Sequence, residues 1–106
     1  MTEEINNLNT DLKELFINSN FDGMKEILEE TTDAIVLELA LFNYEIIKKY
    51  YDSQKYDILF QHIKFVAFSS YLGDYSHQRQ LIDENVYESM SQIFDSIYLL
   101  IKKKEN

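Results

Sequence analysis

The sequence predicts an all-α fold, a single-domain helical bundle of four to five helices around a buried central helix. Three observations carry that expectation. Apolar residues recur at three- and four-residue spacing through most of the chain, and nowhere do they alternate with period two for long. There is no proline, and the two glycines, Gly23 and Gly73, stand where helical patterns break. Hydrophobic residues make up 45% of the 106 and aromatics 14%, ample for one core. A chain of this length buries roughly two-thirds of its unfolded surface.

Ile5, Leu8, Leu12, Leu15 and Phe16 mark an amphipathic first helix, opened by Thr2 or its acidic neighbours and expected to stop near Asn18–Asn20. A short second helix starts around Asp22, which caps it, and carries Met24, Ile27 and Leu28 on one side. Thr31, Thr32 and Asp33 then offer a break and a new N-cap. The third helix, about Ala34 to Tyr51, is apolar nearly all round. Only Glu38, Glu45, Lys48, Lys49 and Asp52 form a polar stripe, so this helix should be the buried centre. Leu39, Ile46 and Ile47 lie on its fully apolar side, and Asn43 in their midst reads as a buried amide that fixes helix register.

Ser53 can cap the next helix, whose face of Tyr56, Leu59, Ile63, Val66 and Ser70 points inward until Gly73 ends it as a C-terminal cap. After Asp74–Ser76 comes a weak helical turn. A last helix carries Val86, Met90, Ile93, Ile97 and Leu100 as its seam, with Lys102, Lys103 and Lys104 at the end where the helix dipole favours cations. Phe21-Asp22 and Tyr56-Asp57 both start helices and lie 35 residues apart, near the period of helical-hairpin repeats. The small and aromatic signature positions of tetratricopeptide repeats do not recur between the halves, which favours a packed bundle over a stack of hairpins.

Charge narrows the function classes. The net charge is −9, and all of it arises in residues 1–47, which hold eleven acids and two bases against eight of each in residues 48–106. Such a field repels nucleic acid and anionic lipid and attracts basic surfaces, so direct nucleic-acid or membrane binding is not expected. Without cysteine there is no disulfide framework and no thiolate metal site, and a reducing cytoplasm is the expected setting. The polar start MTEEINNLNTD does not read as a signal peptide. The longest apolar stretch, AIVLELALF, is broken by Glu38 and is too short to span a bilayer.

One stretch looks like a metal loop. In NSNFDGMKEILE, Asn18, Asn20, Asp22 and Glu29 fall at positions 1, 3, 5 and 12 of an EF-hand pattern, with Gly23 at position 6. Position 1 is normally aspartate, and position 8, normally apolar, is Lys25; no second loop exists to pair with it. A helix-to-helix turn is therefore expected, with no metal and no other cofactor. Catalytic apparatus is lacking too. The chain has two histidines, of which His77 pairs with Asp74 as a single carboxylate–histidine motif, whereas a di-iron bundle needs two Glu-x-x-His pairs and two further glutamates. His62, at the edge of an apolar face, reads as structural. No catalytic residues are assigned, and an enzyme is not expected.

Carboxylate clustering points instead to a binding surface. Asp22, Glu26, Glu29, Glu30 and Asp33 follow helical spacing with Lys25 as the one base among them. Like charges three or four apart cost about 0.2–0.5 kcal/mol per pair, so such a row serves either solubility or a partner. Glu84, Glu88 and Asp95 form a sparser second row beside Tyr87. Phe68 shares a side with Asp57, Gln61 and Lys64, away from the apolar face; it is assigned to the binding surface as an exposed aromatic anchor, although packing on the last helix would hide it equally well.

In size, charge and helical make-up the chain resembles the small acidic all-α immunity proteins of bacterial polymorphic toxin and contact-dependent inhibition systems. That resemblance implies a cytoplasmic binding protein that blocks a basic nuclease toxin domain, covering its nucleic-acid cleft with carboxylates in place of phosphates. A phage-encoded inhibitor of a host nucleic-acid-binding protein would need the same acidic surface. Bacteriocin immunity proteins share the size and helical make-up, though the acidic first half suits membrane-proximal work poorly. A degenerate calcium-binding module would rest on the loop alone.

Overall fold

The computed structural model describes residues 2–105 and is helical throughout, with no strand among the described residues. The helices are α1 (Glu3–Ile17), α2 (Phe21–Glu30), α3 (Asp33–Asp52), α4 (Tyr56–Gln61), α5 (Ile63–Gln78) and α6 (Glu84–Glu105). Six helices stand where four or five were expected, because the predicted fourth helix breaks at His62, whose backbone (φ −122°, ψ 44°) leaves the helical region.

Local chemistry accounts for most of the boundaries. Thr2 accepts a hydrogen bond from the Ile5 amide at 3.3 Å and opens α1. Asn20, rather than Asp22, caps α2, its Oδ1 accepting from the Gly23 amide at 3.0 Å. Asp22 lies inside the first turn, where the dipole still favours its charge. Gly23 does not turn the chain, since neither glycine has positive φ. A Cβ there would stand 2.9 Å from Asn20 Nδ2, so glycine is what leaves room for the cap.

Helices α1, α3 and α5 end in the same device. After each, one residue takes the left-handed conformation: Ser19, Gln54 and Gln80, at φ of 59°, 58° and 62°. Its amide and the next bond back to two carbonyls of the last turn, as in Asn20 N–H to Leu15 O at 2.8 Å and Ser19 N–H to Phe16 O at 3.0 Å. The resemblance between Phe21-Asp22 and Tyr56-Asp57 is the residue of this shared turn. Its third occurrence, after α5, falls outside the 35-residue spacing, so the turn recurs and a packing unit does not.

The core forms around α3. Val36, Leu39 and Ala40 of α3 pack with Leu12 of α1, Met24 and Leu28 of α2, and Phe68 and Leu72 of α5. Tyr44 and Ile47, further along α3, pack with Leu59 of α4, Val66 of α5, Ile82, and Met90, Phe94 and Ile97 of α6. Asn43 falls between these two groups, fully buried, and its Nδ2 donates to Asn9 Oδ1 of α1 at 2.8 Å and to the Leu39 carbonyl at 2.7 Å. Asn9, itself buried, is the second polar group that the apolar pattern of α1 concealed.

Four expectations need correction here. Phe68 is not an exposed anchor: it is 0% exposed and meets Phe16 edge-on at 5.8 Å. The break at His62 resets the helical phase, so a face extrapolated from Tyr56 loses its register. Ile63, expected inside, is 41% exposed for the same reason. Gly73 does not end its helix; α5 runs on to Gln78, and Gly73 instead lets α6 approach, with Met90 Cε 3.0 Å from where a Cβ would be. In α6 the seam is rotated. Met90 and Ile97 are buried as expected, but Phe94 joins them while Val86 is exposed.

Leu39→Ala should therefore destabilise by about 2–5 kcal/mol, through lost transfer energy and a cavity at the centre. Denaturant unfolding checks it, and a loss below about 0.5 kcal/mol would mean that α3 is peripheral. Gln54→Gly, at an exposed left-handed position, should stabilise by about 0.5–1 kcal/mol, because only glycine adopts that conformation without a steric cost.

Candidate functional site

The first acidic row divides between two helices. Asp22, Glu26, Glu29 and Glu30 are all exposed on α2, while Asp33 opens α3 beyond the break at Thr31–Thr32. Helical spacing therefore does not carry the row as far as Asp33. Among the described residues, Asp22, Glu26 and Glu30 have no ion-pair partner, and Glu29 has only a loose, solvated contact with Lys25 at 4.0 Å. An exposed pair of that kind contributes little, so the negative potential of α2 is left almost whole.

Asp33 is different. It forms an ion pair with Arg79, the one arginine of the chain, whose Nη1 also donates to the Leu28 carbonyl at 2.9 Å and to the Tyr75 hydroxyl at 3.3 Å. Arg79 thereby ties the last turn of α2 and the start of α3 to the end of α5. The hydrogen bond to Tyr75 is the largest influence raising the Arg79 pKa, so the guanidinium keeps its charge. Asp33 serves this junction, with its side chain still largely exposed.

The second row begins at the same corner. Glu84 Oε2 lies 2.9 Å from His77 Nε2, and His77 is two residues before Arg79. The imidazole stacks on the Tyr87 ring at 3.7 Å with an interplanar angle of 7°, and the Tyr87 hydroxyl donates to Asp74 Oδ1 at 2.7 Å. That bond is the main reason the Tyr87 pKa is raised. Glu88 and Asp95 are exposed. Tyr87 is thus held on two sides, as a wall and not a mobile anchor. It lines a small polar hollow of about 230 Å³ between α5 and α6, shared with Ser70, Asp74, Ser91, Asp95 and Tyr98.

The aromatic that sequence reasoning missed is Phe21. It is 46% exposed, immediately before Asp22, and it stacks on Tyr71 at 6.5 Å and meets Phe16 edge-on at 5.6 Å. It continues the face of Met24 and Leu28 at helical spacing, and the signal was its place at the first position of α2, where that face runs out to solvent. It stands where Phe68 was expected to.

The metal-like stretch folds as a three-residue turn followed by a helix. Asn18 ends α1, Ser19 takes the left-handed position, and the Asn20 carboxamide is occupied in capping. Glu29, the twelfth position, lies more than two turns along α2. Among the described residues no group of three or more histidine or carboxylate side chains is placed to hold a metal ion. Nor is any described helix long and apolar enough to cross a membrane. Compared with models of protein families, with curated proteins and with solved structures, the chain matches none.

Millimolar calcium should leave the melting temperature unchanged, since a site saturated at a hundred times its dissociation constant would add about 2.7 kcal/mol. A shift of several degrees that Glu29→Gln abolishes would restore the loop as a cation site.

Proposed function

We propose that the protein is a non-catalytic inhibitor that binds a basic protein partner through α2, in the manner of an immunity protein against a nuclease toxin domain. The observation that supports it is the α2 surface, where Asp22, Glu26 and Glu30 stand exposed and unpaired beside a half-exposed phenylalanine. Carboxylates in a row attract the phosphate-binding surface of a nuclease, and an adjoining aromatic supplies the apolar contact that slows release. Glu84 and Glu88, reached across the corner that Arg79 holds, extend the negative field, and Tyr87 gives that side a rigid aromatic wall. On this reading the cytoplasm, where a nuclease would act, is the site of action.

Reversing Glu26 and Glu30 to lysine should leave the fold intact, as both face solvent. The same change should slow association with a basic nuclease toxin domain by an order of magnitude or more at low salt, because steering raises on-rates by about 10–1000-fold. The deficit should shrink as salt screens exposed charges. Phe21→Ala should act on the other rate constant, speeding dissociation. Surface binding kinetics at two ionic strengths and protection of nucleic acid from cleavage are the readouts. Unchanged association and full protection by the charge-reversed variant would leave the carboxylates with solubility as their role.

A further inference from the structure

One concavity has the opposite character to the acidic rows. It is a cleft of about 630 Å³ where α4 breaks from α5, with walls that include Ile17, Ile46, Tyr50, Ile58, Phe60 and Phe65. The volume is in the range of small-molecule sites, about 300–1000 Å³. The break at His62 creates it. In an unbroken helix Ile63 would have turned into the core, but here it stands at the cleft, and Ile46, read from the sequence as core, lines the wall half-buried.

Charge distinguishes this cleft from the rest of the surface. In a chain with nineteen carboxylates, none lines it, whereas Lys13, Lys64 and His62 do. Lys13 Nζ sits 4.8 Å from the centre of the Phe65 ring, and Lys104 Nζ lies 4.6 Å from that of Phe60. None of these three lysines belongs to an ion pair among the described residues.

We propose that this cleft binds an aliphatic carboxylate, its chain against the isoleucine and aromatic walls and its head group between Lys13 and Lys64. An uncharged apolar ligand would leave the lysines unanswered, and a small inorganic anion would leave the walls wet. The ligand that satisfies both is amphipathic and carries one negative charge. The site shares no residue with the acidic surface of α2, so the two can be tested apart.

Titrating the whole protein with saturated monocarboxylates from hexanoate to dodecanoate, below their micelle concentrations, tests the proposal by calorimetry and by chemical-shift change. Affinity should rise about fourfold per added methylene until the cleft is full, and then level off. The alcohols of matching length should bind about tenfold more weakly or worse, the loss expected when charged hydrogen bonds are removed. Lys13→Glu combined with Lys64→Glu should weaken the carboxylates by a similar factor and leave the alcohols unchanged; Lys64 is exposed and Lys13 half-buried, and unchanged alcohol binding also shows that the fold is kept. Ile46→Trp should block acids and alcohols alike. No saturable binding of dodecanoate, equal affinity for acid and alcohol, or indifference to the lysine reversals would each overturn the proposal. So would binding of an acidic amphipathic peptide in the absence of any carboxylate binding.

Discussion

A helix that is apolar on almost every side must be surrounded, and α3 is such a helix. One neighbour covers one face of a helix, so burying Val36, Leu39, Ala40, Tyr44 and Ile47 takes several. Helices α1 and α2 with the second half of α5 close over its start, and α4 and α6 with the first half of α5 close over its end. Helix α5 has to serve both groups, and the kink at His62 accompanies that double duty. The polar stripe of Glu38, Glu45 and Lys49 is the one side of α3 left to water.

Around that centre the polar interactions act as registers. The Asn43–Asn9 bond fixes α1 against α3 at a depth where an unmatched amide is costly, so sliding one helix along the other would strand both groups. Arg79 does the equivalent at the surface, holding carbonyls of the α2–α3 junction from the end of α5. With one arginine committed to that corner, the remaining bases are lysines. Those close enough to a carboxylate pair along a helix, as Lys48 does with Asp52 at 2.7 Å. Lys13 and Lys64 instead line the α4–α5 cleft.

The result is a segregated surface. Helix α2 and the start of α6 carry exposed carboxylates with an aromatic on each, Phe21 and Tyr87, whereas the α4–α5 cleft is apolar and edged with lysine. Net charge alone conceals this, because a total of −9 suggests a uniform repulsion of anions. The cleft is lined by two lysines and by no carboxylate, and desolvating apolar walls strengthen whatever charge interaction occurs there.

Periodicity by itself determined the fold class, the extent of α1, α2 and α3 to within a residue or two, the central place of α3 and the exposure of the α2 carboxylates. Those properties follow from spacing within one continuous helix, where each residue's direction depends only on its neighbours. Directions beyond a break do not. The phase of α5 is set by the angle at His62, a backbone geometry with no proline or glycine to announce it, so Phe68 went from expected anchor to core and Ile63 from core to surface. Partnerships across the fold were equally hidden. Asn9 and Asn43 are 34 positions apart, and Asp33 and Arg79 are 46, with nothing in either segment to nominate the other. The cleft belongs to the same category, since Lys13, Ile46, Phe60 and Lys64 come from four helices. Only the packing of those helices against α3 brings their side chains to one place.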